Sequence, residues 1–141
     1  MKHCTDTLTL ATTEHMQFID VTERVRAIFE KSGVKNGVVS VFTAHTTTAI
    51  KINERCDDLQ EDMREFLNAA APREKGYHHN HVAVDGRDNA HSHLQSLMLN
   101  ASESIPVADG KLALGSWQSI FFVELDGPRT ARRVTISVMG E

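Results

Sequence analysis

The sequence is short of several things, and each shortage excludes a class of function. It has two cysteines, Cys4 and Cys56, far apart and without a CxxC partner. Neither a disulfide framework nor a thiolate zinc site is expected from them; free thiols with no chemical role are. No stretch approaches the ~18 apolar residues that a membrane-spanning helix needs. The segment Met1 to Leu8 has no apolar signal core behind its lysine, so a cytoplasmic protein without membrane contact is expected. A basic excess is missing too: net charge is −4 with neutral histidines. That argues against nucleic acid or an anionic membrane surface as partner. Small anionic substrates stay open, because a metal ion or a few amides supply positive charge locally. There is no internal repeat, linker, P-loop, GxGxxG or HExxH motif. With 141 residues, the chain is expected to form one domain over 1–141.

Histidine is what the sequence has in abundance. There are eight, and five of them fall between His78 and His93. Around them the apolar residues set out the elements. Val21, Val25, Ile28 and Phe29 recur at helical spacing from Asp20 to Gly33, with Asp20 as cap, Glu23 three residues on, and Gly33 suited to the exit. Leu59, Met63, Phe66 and Leu67 predict a second helix that Pro72 stops. Val38–Thr43 and Thr46–Ile52 are β-branched and strand-like. The stretch Gly76 to Asn89 has no period and reads as a loop. A third helix is expected from Asp88 or Asn89, carrying Ala90, Leu94, Leu97 and Met98 inward. Trp117–Asp126 and Arg132–Met139 alternate and are expected to pair as a hairpin through Gly127-Pro128. The mixture lacks a βαβ rhythm. It predicts an α+β domain, a mixed but mostly antiparallel sheet with two to three helices packed on it.

Four segments are candidates for chemistry. In the first, His45 sits between two strand-like runs, and Asn53 and Glu54 follow closely. In the second, His78, His79 and His81 share a loop, and at most one or two of them can face a single ion. In the third, His91 and His93 lie about 200° apart on a helix, so only one can bind a given metal, and helical geometry does not choose between them. The fourth, Ser102 to Gln118, has two glycine turns around a strand and the only tryptophan. Ser116, Trp117 and Gln118 there suit a pocket wall for a flat ring or a phosphate, although a tryptophan filling the core explains the same run. Taken together, strand, loop and helix can offer three neutral imidazoles to one divalent cation. Imidazole suits zinc, copper, nickel and iron alike.

These residues resemble the YjbQ family, whose members include secondary thiamine-phosphate synthases. The most specific match is Ser-x-x-Ile-Pro-Val-x-x-Gly-x-Leu-x-Leu-Gly-Ser-Trp-Gln, from Ser102 to Gln118. It is joined by His45-Thr46-Thr47, Ile52-Asn53-Glu54, Tyr77-x-His79 and Asn89-Ala90-x-x-His93. The resemblance implies an α+β subunit assembled as a homotrimer, with one divalent metal, zinc by expectation, on His45, His79 and His93. It prefers His79 over His78 and His81, and His93 over His91. Asn53, Glu54, Ser116, Trp117 and Gln118 would line a pocket for a small phosphorylated substrate, with Glu54 moving a proton. Two positions depart from the family pattern: Ser116 stands where threonine is usual, and Gln95 where a basic residue is frequent. The second departure is expected to weaken the hold on an anionic substrate. The implied activity joins an aminopyrimidine diphosphate to a thiazole phosphate and releases pyrophosphate. Two alternatives are a metal-assisted hydrolase with Glu54 as base, and a non-catalytic trimeric module that binds a phosphorylated metabolite.

Overall fold

The computed structural model describes all 141 residues. In chain order the elements are β1 (Lys2–Thr12), β2 (Gln17–Asp20), α1 (Thr22–Ser32), β3 (Gly37–Thr43), β4 (Thr48–Glu54), α2 (Asp57–Ala70), a 3-10 turn (His78–His81), α3 (Ala90–Ser96), β5 (Ser102–Ala108), β6 (Lys111–Leu112), β7 (Gln118–Glu124) and β8 (Arg129–Gly140). The strands form two sheets, ordered β1-β8-β3-β5-β6 and β2-β7-β4. Every pairing is antiparallel. The expected α+β class holds, with three helices.

Strand β7 explains why there are two sheets. Its run Ile120-Phe121-Phe122-Val123 is apolar on both faces, and all four side chains are buried. Ile120 and Phe122 point into the main core, shared with Val21, Val25, Ile28 and Phe29 of the α1 region and with Val134, Ile136 and Val138 of β8. Phe121, Val123 and Leu125 point into a smaller core with Met16, Ala49 and Leu67, the last from α2. A strand with two buried faces needs a cover on each. Each large apolar side chain buried this way contributes about 1.5–3 kcal/mol.

The expected hairpin between β7 and β8 does not form. β7 pairs with β2 and β4, whereas β8 pairs with β1 and β3. Gly127-Pro128, a cis peptide, is a corner at which the chain changes sheet. A side chain on Gly127 would meet the carbonyl oxygen of Glu14 at 2.0 Å, so only glycine fits there.

Helix α1 begins two residues after Asp20, whose carboxylate accepts the Thr22 N–H at 2.9 Å and the Thr22 hydroxyl at 2.6 Å. It closes on Gly33 in the left-handed region at φ 65°. Helix α2 ends at Ala70, before Pro72. Helix α3 departs from expectation in its phase. Ala90, His91, Ser92 and Gln95 are buried, while Leu94, Leu97 and Met98 stand exposed. Hydrogen bonds decide this: the Ser92 hydroxyl donates to the Leu125 carbonyl at 2.5 Å, and Asn89 Nδ2 donates to Asp126 at 2.9 Å. The polar face thereby docks on the β7–β8 corner. No helix is long and apolar enough to cross a membrane.

Candidate functional site

Alternation along the two longest apolar runs also places charge. On β8 the phase that buries Val134, Ile136 and Val138 buries Arg132; on β7 the phase of Ile120 and Phe122 buries Glu124. The two meet where the sheets join. Arg132 Nε donates to Glu124 Oε2 at 2.7 Å and Nη2 donates to Oε1 at 2.5 Å and to the Thr47 hydroxyl at 3.0 Å. Glu124 also accepts the Thr12 hydroxyl and the Asp126 N–H, both at 3.0 Å. A buried ion pair tolerates its desolvation only when satisfied in this way. Past the corner, Arg129 Nη2 donates to Asp126 at 2.6 Å.

The histidines gather over this charged floor. His45 lies in the β3–β4 connection, held by Thr48 Oγ1 donating to its carbonyl at 3.1 Å. Its Nε2 accepts the backbone N–H of Arg133 at 3.0 Å, which places the proton of the neutral ring on Nδ1. His79 is on the 3-10 turn, which Asn80 ties to α3 by accepting the Ala90 N–H at 3.1 Å. That tie sets His79 against His93, with ring centroids 4.9 Å apart in an edge-to-face arrangement. His93 has its pKa lowered first by burial and then by His79. His45 is lowered by burial, then by the Arg132 cation, with Glu124 opposing. Both rings are therefore neutral at pH 7, the state that offers a lone pair.

Two cavities share these residues. A polar one of about 380 Å³ is lined by Thr46, Thr47, His79, Asp85, Arg87, Asn89, His93, Arg129 and Arg132, with Val84 as its one hydrophobic member. A second, about 480 Å³, is lined by His45, Thr46 and His93 with Phe42, Leu94 and Leu97. His93 and Thr46 belong to both. Of the three implied ligands, His79 and His93 share the first cavity and His45 and His93 the second, and no three His, Cys, Asp or Glu side chains close into a metal cage. His78 and His81 line neither cavity. His91 turns the other way: it is buried, and its Nε2 lies 2.8 Å from Nε2 of His15. With centroids 5.1 Å apart and planes 20° from parallel, the two rings meet edge to edge through one N–H···N bond.

The other implied residues lie elsewhere. Glu54 pairs in register with Gln118 and Asn53 with Ser119, at the opposite end of the β4–β7 ladder from Thr48 and Glu124. Six residues of strand separate the ends, about 20 Å. There Asn53 accepts the Glu54 N–H at 2.8 Å, and Gln118 accepts the Gly115 N–H at 2.8 Å. Ser116 and Gln118 are exposed, and Trp117, at 76%, is outside the core. Gln95 is fully buried, its Nε2 facing the Leu67 and Ala71 carbonyls at 3.3 Å. It caps the C-terminus of α2, so the expectation that it weakens the hold on an anion is corrected: a basic residue there would serve the helix end.

Reading the sequence as a hairpin turn missed Glu124, Asp126, Arg129 and Arg132. The signal was present, since four charges within nine residues interrupt two apolar strands around Gly127-Pro128. Asn89, Thr46 and Thr47 stand in the family motifs, but no local pattern assigns them a part in a pocket.

A family model described as UPF0047 protein YjbQ-like matches residues 6–141. A UPF0047 protein of Methanothermobacter thermautotrophicus is 43% identical over 141 residues, covering 100% of this chain and 95% of the relative. The UPF0047 protein YugU of Bacillus subtilis is 37% identical over 135 residues, covering 95% and 98%. Among solved structures, a YbjQ-like protein of unknown function from Sulfolobus solfataricus P2 is similar with a TM-score of 0.94 and 40% identity, covering 99% of both chains. A hypothetical protein from Aeropyrum pernix K1 gives a TM-score of 0.90 and 39% identity, covering 97% and 98%. Matched along almost its whole length in both sequence and fold, the chain belongs to the UPF0047 YjbQ-like family.

Proposed function

We propose that this protein is a metal-dependent enzyme of the thiamine-phosphate synthase type, joining an aminopyrimidine diphosphate to a thiazole phosphate with release of pyrophosphate. One observation carries the reading: two imidazoles, His79 and His93, stand together at a polar cavity that three arginines also line. The donor set fits a divalent cation, zinc by preference, because imidazole is its common nitrogen ligand. His79 and His93 would hold it. His45 would be the third ligand after releasing the Arg133 N–H, since Nε2 is engaged and Nδ1 carries the proton. When bound, the cation supplies positive charge against the departing diphosphate. Arg87, Arg129, Thr46 and Thr47 would orient the substrate around it.

Glu54 as proton carrier, with Asn53, Ser116, Trp117 and Gln118 lining the substrate, belongs to this scheme through assembly. In a homotrimer, a neighbouring subunit can bring its own β4–β7 end to the cavity. The exposed Phe42, Leu94 and Leu97 beside His45 and His93 offer an apolar face for such a neighbour. Free Cys4 and Cys56 agree with a cytoplasmic setting.

The test is turnover of the two thiamine precursors by purified protein, with and without chelator, beside His79→Ala and His93→Ala. Product that disappears on chelation, and in both variants, supports the proposal. Product unaffected by either treatment overturns it.

A further inference from the structure

Arg132 is 6% exposed, and its bonds to Glu124 and Thr47 use Nε and both hydrogens of Nη2. Nη1 and its two N–H groups have no partner in the protein. Yet Nη1 is not among the enclosed polar atoms that lack partners, which are Gln60 Nε2, Asn89 Oδ1, His91 Nδ1 and Gln95 Oε1. Arg132 lines only the polar cavity among those described, so its free edge opens there. Arg129 repeats the pattern: Nη2 is held by Asp126 and Nη1 by the Pro128 carbonyl, and Nε–H is left over. Two lining groups, the Asp85 carboxylate and the buried, unpartnered side-chain carbonyl oxygen of Asn89, only accept hydrogen bonds, so the donors an anion can use are on the arginines and threonines.

We propose that this cavity is a phosphoryl-binding site in which Nη1 of Arg132 and Nε of Arg129 donate to the phosphate oxygens. Each of the three guanidinium groups has a carboxylate partner: Arg87 with Asp85, Arg129 with Asp126, Arg132 with Glu124. For Arg129 and Arg132 the pairing fixes the fork in place, and its outer edge keeps the N–H groups a phosphate oxygen accepts. Donors reach the cavity from β8 and, through Thr46 and Thr47, from the β3–β4 connection. A tetrahedral group accepts from several directions at once; a planar carboxylate does so less well. With the carboxylates balancing the arginines, the site recognises by directed hydrogen bonds, and sheer positive potential contributes little. The inference rests on taking the polar cavity as the substrate site, and it assigns the phosphate end of that substrate.

Calorimetric titration of chelator-treated protein with inorganic phosphate, pyrophosphate and acetate tests this without metal or turnover. One phosphate or pyrophosphate per chain is expected, with acetate failing to compete. Phosphate binding as well as pyrophosphate marks a single phosphoryl pocket; pyrophosphate binding about tenfold better marks room for a diphosphate, and either supports the site. Arg132→Lys keeps the charge but not the fork and should weaken binding about tenfold. Arg129→Gln, at a less buried position, gives the same readout if the first variant does not fold. Absence of binding at millimolar phosphate and pyrophosphate, or equal affinity in folded variants, overturns the inference. A protein that binds pyrophosphate but makes no thiamine phosphate would sink the proposed reaction and leave this site standing.

Discussion

The two ends of the β4–β7 ladder carry the residues that the family motifs single out, and they differ in how their polar groups are held. At the Thr48–Glu124 end, charge is inside: Glu124 is 0% exposed, and the network through Thr12, Thr47, Arg132 and Asp126 satisfies its oxygens. At the Glu54–Gln118 end, polar side chains are at the surface and bond to their own or adjacent turns. The first end is preorganised by the fold of a single chain. The second is open to solvent within the chain.

The largest effect expected from this contrast is on stability. Arg132→Leu strands Glu124 as an unpaired buried carboxylate and should cost about 3–5 kcal/mol, whereas Glu54→Gln should stay within about 0.5 kcal/mol. Urea unfolding of the two variants beside wild type decides it. Equal losses would mean that the ends are alike in burial and would dissolve the distinction.

Next comes pH. His45, His91 and His93 all have pKa values lowered in the folded state, with burial the leading cause in each. The unfolded chain, with histidines near 6.5, therefore binds more protons than the folded one as pH falls through that value. Stability contributed by these neutral rings is complete above about pH 6.5 and is lost as pH drops through the lower folded values. The urea midpoint at pH 5.5 should accordingly lie below that at pH 7.5, and His91→Gln should flatten the difference. An unchanged slope in His91→Gln would remove the His15–His91 contact from the account.

This contrast also marks how far the sequence could be read. Strands β3 and β8 were legible because Val39, Val41, Ile136 and Val138 repeat with period two, whereas β1 and β2 were not read as strands. Helix α1 was legible because Val21, Val25, Ile28 and Phe29 share a face and Gly33 closes it. Sheet membership was not, since an alternating pattern states which face of a strand is buried and not which strand lies beside it. A tight turn at Gly127-Pro128 suggests a hairpin, and only the packing of both faces of β7 turns it into a corner. The phase of α3 was hidden for a related reason. Leu94, Leu97 and Met98 outweigh Ser92 and Gln95 in any apolar count, but the hydrogen bonds of Ser92 and Gln95 lie on distant segments that periodicity does not see. Helical geometry leaves His91 and His93 equivalent, and the motif alone favoured His93. His93 lines both cavities while His91 is turned onto His15. The arginine floor was missed because Glu124 and Arg132 are eight residues apart on strands of different sheets, and nothing local shows that they meet.

The smallest expected effect is the most informative about the open end. Trp117 is 76% exposed, so Trp117→Ala removes little buried area within a chain and should change stability by no more than about 0.5 kcal/mol. Its indole should emit as a water-exposed ring in dilute protein. If subunits associate over this end, raising the protein concentration should shift the emission to shorter wavelength, and Trp117→Ala should then weaken association while leaving the unfolding of dilute chains unchanged. A loss of several kcal/mol in dilute protein would mean that Trp117 is packed within its own chain, and the open end would be as built as the other.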